Sequence, residues 1–180
     1  GDMLRNAVEK GNSLGREVGE FLNAGKLVSD ELVAQIVDRR LDELGDRGFV
    51  LDGYPRTIEQ ALSLDRWCAV SGVTFDAVVL FDVAEETVVE RITGRRIDPD
   101  TGRVYQGLEP LPEDIRTRLR QRDDDHEDVV KKRLEIYRSL TEPVIDHYDE
   151  LGVLIRIDGA SDPDRVFETI LQLEPIKRQV

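Results

Sequence analysis

Apolar residues change their spacing several times along this chain, and each change marks an element. Over residues 2–10 (DMLRNAVEK), Met3, Leu4, Ala7 and Val8 fall on one helical face. Leu14, Val18, Phe21 and Leu22 repeat that spacing over residues 13–24. Ser29 has the chemistry of an N-cap. Asp30 and Glu31 then supply a negative first turn, which predicts a helix to about Leu44. The spacing collapses to a continuous run in FVLD (49–52), the mark of a short buried strand. Helical spacing returns over 57–71, followed by a predicted strand in FDAVVLFDV (75–83) and a helix over 84–94. Residues 95–121 carry proline, glycine and arginine with no clean period and read as an excursion from the core. Residues 124–150 read as helical, with Pro143 suited to the first turn of a second helix. VLIRID (153–158) is predicted as the last strand and residues 163–173 as the last helix.

Strands alternating with helices predict an α/β fold with a parallel sheet. In such sheets ligands bind outside the carboxyl ends of the strands. The stretch DGYPRT (52–57) directly follows a predicted strand and so lies on that edge.

Composition narrows the function classes. The chain has 180 residues, 39% hydrophobic and 35% charged, which suits one folded domain with a real core. Its net charge of −13 argues against a nucleic-acid surface, so a polyanionic ligand must be met by a local arginine cluster. Cys68 is the single cysteine, which excludes a disulfide framework and a four-cysteine zinc site. No apolar run is long enough to span a membrane and no signal peptide is visible, so cytoplasm is the default expectation.

Three clusters carry chemistry. In DGYPRT, Asp52 closes the strand, and Gly53 lacks a Cβ and admits a close approach. Pro55 sets the turn, Arg56 offers a planar fork for phosphate, and Thr57 can cap the next helix. Gln60, one turn on, has an amide able to read a base edge. An ordinary strand–turn–helix connection with a surface arginine would look the same. The second cluster is Arg91, Arg95, Arg96, Arg103, Arg122 and Arg133. Arg91 and Arg95, four apart on one helix face, repel unless an anion lies between them; a solvated basic face is the plain alternative. The third is Asp123–Asp124–Asp125, which also suits the first turn of a helix. His126 and His147 stand alone as surface groups. Tyr105 suits either a stacking platform or a packing residue.

Taken in order, GDMLR (1–5), NAGKLVSDELV (23–33), GFVLDGYPRT (48–57), GRR…TGRVYQ (94–106), QRDDD (121–125), KKRLEIY (131–137) and IDG (157–159) resemble the adenylate kinases, a nucleoside monophosphate kinase family, over nearly the whole chain. The resemblance implies a P-loop-kinase-like parallel sheet flanked by helices, with an inserted lid and a helical AMP-binding subdomain. Residues 1–30 would be the AMP-binding helices, 31–94 and 123–180 the core, and 95–122 the lid closing over ATP. It implies that Arg5 and Arg56 hold the phosphate of AMP. Gly53 and Gln60 would meet its adenine, with backbone groups of Lys26 and Val28 nearby. Arg91, Arg95, Arg122 and Arg133 would surround the transferred phosphoryl group and the donor phosphates. Val104, Tyr105 and Gly159 would border ATP, and Asp124 and Asp125 would pair with lid arginines. Asp52 would organise Mg²⁺ through water. The implied reaction is ATP + AMP ⇌ 2 ADP, carried out by a monomer. Positioning and charge neutralisation supply the catalysis, so no protein nucleophile is required.

Two departures qualify that resemblance. Gln106 stands where the family's lid usually has histidine, and the lid has no cysteine, which excludes the zinc-bearing version. The stretch 107–122 also lacks the family's Phe-Asn-Pro-Pro run. More important, no Gly-x-x-x-x-Gly-Lys-Ser/Thr phosphate loop occurs in these 180 residues. The first strands are expected to be absent, as in a truncated sequence. A UMP/CMP-type kinase, or a non-catalytic nucleotide-binding module without the loop, are the competing readings. The 180 residues alone are expected to have little or no kinase activity. A coupled ATP/AMP assay giving full turnover would contradict that expectation.

Overall fold

A computed structural model describes residues 2–11, 13–23, 28–45, 47–107 and 111–173, with Asp2, Arg5, Lys10, Leu22 and Asn23 described by backbone alone. The architecture is mixed α/β, with a parallel sheet flanked by helices. The chain divides into two compact units, Gly1–Phe75 with Leu140–His147, and Asp76–Ser139 with Tyr148–Val180. Among the described residues no helix is long and apolar enough to cross a membrane.

The first unit is helical. Helices α1 (Asp2–Lys10), α2 (Ser13–Asn23) and α3 (Asp30–Asp42) follow the predicted spacing. Val18, Leu32 and Ile36 form their buried centre, with Met3, Leu4, Ala7, Val8, Leu14, Phe21 and Val28 packed around it. The helix α4 (Ile58–Ser71) packs on α3 through Leu64 against Val37 and Leu41. Both helices start on hydroxyl caps: Ser29 accepts from the Leu32 N–H and Thr57 from the Gln60 N–H. At its other end α4 stops on Gly72, whose φ of 68° places it in the left-handed conformation.

The expected buried strand at 49–52 does not form. Its side chains keep the strand alternation: Phe49 and Leu51 pack against α3 and α4, Phe49 meeting Trp67 edge-on at 6.2 Å, while Val50 is 94% exposed. A strand needs a neighbour to receive its N–H and C=O groups. None of the described strands pairs with this segment.

In the second unit, β1 (Val78–Asp82) pairs in parallel with β4 (Leu154–Asp158), Val78 opposite Leu154 and Asp82 opposite Asp158. Between them run α5 (Glu85–Gly94), an antiparallel hairpin, α6 (Glu113–Arg118), a short 3₁₀ turn at Asp123–Asp125 and α7 (Glu127–Ile136). The helix α9 (Pro163–Leu171) follows β4. The stretch read as helical over 124–150 is not continuous. A wide π turn at Tyr137–Thr141 separates α7 from α8 (Glu142–Glu150). Pro143 has no N–H, and its ring crowds the carbonyl four residues earlier, so the preceding turn opens.

The aperiodic excursion at 95–121 has structure of its own. Strands β2 (Arg95–Ile97) and β3 (Val104–Gln106) pair, and Ile97 also exchanges two backbone hydrogen bonds with Arg120, at 2.8 and 2.9 Å. Asp98 fastens the turn between the strands. Its N–H donates to the Arg103 carbonyl and its own carbonyl accepts from Gly102. Its fully buried carboxylate accepts from Arg118 Nε and Nη2 at 3.1 and 2.7 Å and from the Asp100 N–H at 3.0 Å. These bonds, the Arg118 pair first, hold the Asp98 carboxyl down at about 2 against an ordinary 3.8. A depressed acid stabilises the fold above its unfolded pKa and loses that contribution as pH falls through the folded value. The hairpin is therefore expected to loosen between about pH 4 and about pH 2. Hydrogen exchange at the Gly102 and Ile97 amides measures this, and in Asp98→Asn the same amides should exchange faster already at pH 7.

Asp38, on α3, shows the opposite case. Its Oδ1 is buried without a hydrogen-bond partner among the described residues. Burial, and then Asp42, push its carboxyl above the ordinary range, with Arg66 opposing. A raised acid favours the fold below its unfolded pKa and costs stability as pH rises through the folded value. Asp38→Asn should therefore stabilise the fold at pH 7, because it removes the charge that burial and Asp42 disfavour. The gain should shrink toward pH 4. Thermal melts at the two pH values measure it.

Candidate functional site

The turn after residue 51 is built around Gly53, whose φ of 69° suits glycine. A Cβ there would stand 2.9 Å from Arg56 Nη2, so glycine also gives the guanidinium its place. Arg56 folds back to donate from Nε to the Gly53 carbonyl at 2.9 Å. Its terminal nitrogens have no partner among the described residues. The Arg56 carbonyl accepts from the Thr141 hydroxyl at 2.9 Å, and the peptide between Tyr54 and Pro55 is cis.

Gln60 is buried at 6% exposure, and both ends of its amide are engaged. Oε1 accepts from the Arg56 N–H at 2.8 Å, and Nε2 donates to Asp30 Oδ1 at 2.7 Å. The other oxygen of Asp30 accepts from the Thr57 hydroxyl at 2.7 Å. One carboxylate thus joins the start of α3 to the start of α4. Sequence reasoning saw Asp30 only as first-turn charge. Its partners lie 27 and 30 residues away, and no local pattern announces them. Tyr54, whose hydroxyl reaches the Gln60 carbonyl at 3.4 Å, is pushed up to about 12 by burial, then by Asp38 and Asp30.

Val28, just before the Ser29 cap, packs its side chain on the α1–α2–α3 core. Its backbone N–H and C=O make no hydrogen bond among the described residues. Asp52 is exposed and likewise carries no hydrogen bond or ion pair among them. A lone free carboxylate fits a hydrated cation held through water, since Mg²⁺ keeps several waters and takes few protein ligands. No group of three or more metal-ligating side chains occurs among the described residues. The expectations for Lys26 and for the side chain of Arg5 fall outside what the structure describes.

The second unit gathers the other arginines in two places. Arg95 grips Asp125 through both nitrogens, Nε to Oδ2 at 3.0 Å and Nη2 to Oδ1 at 2.5 Å, and the Asp125 side chain is fully buried. That bidentate pair, first among several causes, lowers the Asp125 carboxyl and raises Arg95. Asp124 is shared by Arg122 at 3.0 Å and Arg133 at 3.6 Å, all three about half exposed. Three guanidinium groups thus converge on the carboxylates of Asp124 and Asp125. Pairs this exposed are worth about 0–1 kcal/mol, so a phosphate can take Arg122 and Arg133 from Asp124 at small cost. The buried Arg95–Asp125 pair is firmer.

Arg91 belongs to the other place. Its Nη1 and Nη2 donate to the carbonyls of Gly159 and Ala160 at 2.5 and 2.6 Å. Gly159 sits where a Cβ would come 2.7 Å from Val83 Cγ2 and 2.9 Å from Phe81 Cβ, so only glycine lets this loop close on the end of β1. Gln106 donates from Nε2 to the Arg91 carbonyl at 3.0 Å, tying the hairpin to the end of α5. On that hairpin Val104 is 56% exposed, and Tyr105 lies under the Arg103 guanidinium at 5.1 Å from its ring centre. The predicted site residues therefore form the Gly53–Arg56–Gln60 turn in one unit, and an arginine–aspartate cluster and an Arg91–Gly159 loop in the other.

Known proteins carry the same arrangement of sequence. The adenylate kinase family model matches residues 1–153. A protein of Thermotoga maritima named adenylate kinase is 45% identical over 181 residues, covering 96% of this chain and 82% of its own length. Those of Natronomonas pharaonis (46% identical, 84% of this chain and 71% of the relative) and Archaeoglobus fulgidus (43% identical, 98% and 85%) carry the same name. With a family match over residues 1–153 and relatives this similar across most of its length, the chain belongs to the adenylate kinase family.

Proposed function

We propose that this protein transfers the terminal phosphoryl group of ATP reversibly to AMP, giving two molecules of ADP, with Mg²⁺ entering alongside ATP. Its family makes it a phosphotransferase. The observation that carries the finer reading is Arg56. In a chain of net charge −13, its terminal nitrogens remain unpaired among the described residues, beside a glycine carbonyl and an amide held in one orientation. That is a fork for a phosphate next to a reader for a base.

On this reading Arg56 and Arg5 hold the acceptor phosphate. Gly53, Gln60 and the free backbone of Val28 meet the acceptor base, with Lys26 beside them. Arg122 and Arg133 yield from Asp124 to donor phosphates and to the charge that develops on the transferred group. Arg95, gripped by Asp125, holds its own guanidinium in register for the same oxygens. Arg91 has spent both terminal nitrogens on carbonyls, so it offers its flat face, which suits the donor base near Gly159 better than a phosphate. Val104 and Tyr105 border that nucleotide from the hairpin, within the segment 95–122 taken as the lid. Bound Mg²⁺ would neutralise donor phosphate charge, and Asp52 would hold one of its waters.

Two measurements test this. Arg56→Ala should raise KM for AMP by about a hundredfold, the loss of a bidentate charged contact of roughly 2–3 kcal/mol, and change ATP binding far less. Equal losses on both sides would place this turn on the wrong phosphate. Offered AMP, UMP, CMP and GMP at equal concentration, the enzyme should use AMP fastest. A pyrimidine in first place would instead identify a UMP/CMP-type kinase.

A further inference from the structure

We propose that Asp30 is a positioning residue that sets the acceptor-base specificity of this enzyme by locking the orientation of the Gln60 amide. The inference rests on the reading that Gln60 meets the acceptor base. A glutamine amide presents a donor end and an acceptor end, and a half-turn exchanges them. The purines differ in the same way. Adenine carries an amino donor beside a ring-nitrogen acceptor, whereas a 6-oxopurine carries an oxygen acceptor beside a ring N–H donor. A glutamine free to turn can satisfy either base, and one that cannot turn selects between them.

Two partners prevent the turn here. The Arg56 N–H can only donate, so the atom 2.8 Å from it is Oε1. The Asp30 carboxylate can only accept, so the atom 2.7 Å from Oδ1 is Nε2. Turning the amide would place N–H against N–H at one end and oxygen against carboxylate at the other. Each amide atom keeps one valence unused among the described residues: a second lone pair on Oε1 and a second hydrogen on Nε2. Those two, side by side in fixed order, match the donor and acceptor of adenine. The other oxygen of Asp30, Oδ2, accepts from the Thr57 hydroxyl, which leaves Oδ1 to Gln60. The charge on Asp30 is what removes the ambiguity, because an asparagine there could present either end.

The test is the ratio of kcat/KM for AMP to that for inosine monophosphate, the matching 6-oxopurine nucleotide, measured on the full protein. Asp30→Asn should lower this ratio about tenfold, the worth of one charge-assisted hydrogen bond, through a rise in KM for AMP with KM for ATP unchanged. Thr57→Val removes the cap of α4 and the second contact of Asp30 but leaves the Asp30–Gln60 bond, so it should keep the wild-type ratio. A wild-type ratio in Asp30→Asn overturns the proposal. So does an equal fall in Thr57→Val, which would make Asp30 a structural support only. Gln60→Ala separates the premise from the inference. If it leaves KM for AMP and the ratio untouched, Gln60 does not read the base and both fall. If it erases the preference while Asp30→Asn does not, only the role of Asp30 fails.

Discussion

A guanidinium can face a carboxylate or a phosphate, and in a chain of 38 acidic and 25 basic residues that competition decides what each arginine can do. The structure grades the arginines by how firmly they are held. Arg95 and Arg118 lie in bidentate pairs with fully buried carboxylates, Asp125 and Asp98. Separating such a pair would strand a buried charge. Arg122 and Arg133 share one exposed carboxylate and can change partners at little cost. Among the described residues, the Arg56 guanidinium is tied by Nε alone, to a carbonyl. This gradient, rather than the number of arginines, sets how readily each guanidinium can change partner. The buried pairs are held firmly, and the exposed ones can exchange partners.

The turn at Gly53–Arg56 follows a related rule. Asp30 accepts from Thr57 and Gln60, Gln60 accepts from Arg56, and Arg56 donates to Gly53. Each link has a fixed donor and a fixed acceptor, so the chain of bonds has one direction. A network of that kind holds its members in single orientations, because reversing any one of them would oppose two donors or two acceptors. The cap of α4, Thr57, and the first residue of α3, Asp30, belong to the same network, which connects the helix starts to the geometry of the turn.

Much of this was legible in the residues. Helices at 2–10, 13–23 and 58–71 follow from apolar spacing, and Ser29 and Thr57 cap as their chemistry suggests. The ordered motifs pointed to the family that the relatives support. What was not legible depended on partners distant in sequence. FVLD has the composition of a strand but no neighbouring strand among those described, so Val50 stays exposed. The hairpin at 95–106 is held by Arg118 and Arg120, which lie beyond any local window. The π turn before Pro143 is a local consequence that a helical reading smoothed over.

The sequence by itself determined the family, most of the helices and the residue kinds available to bind phosphate, because spacing, capping and motif order are local properties of the chain. Tertiary structure alone decided which arginines are held and which are free, and that Gln60 points its amide one way. Those outcomes depend on Asp125 lying 30 residues from Arg95 and Asp30 lying 30 residues from Gln60. A hydrogen bond is set by distance and angle in space, and sequence separation carries no information about either.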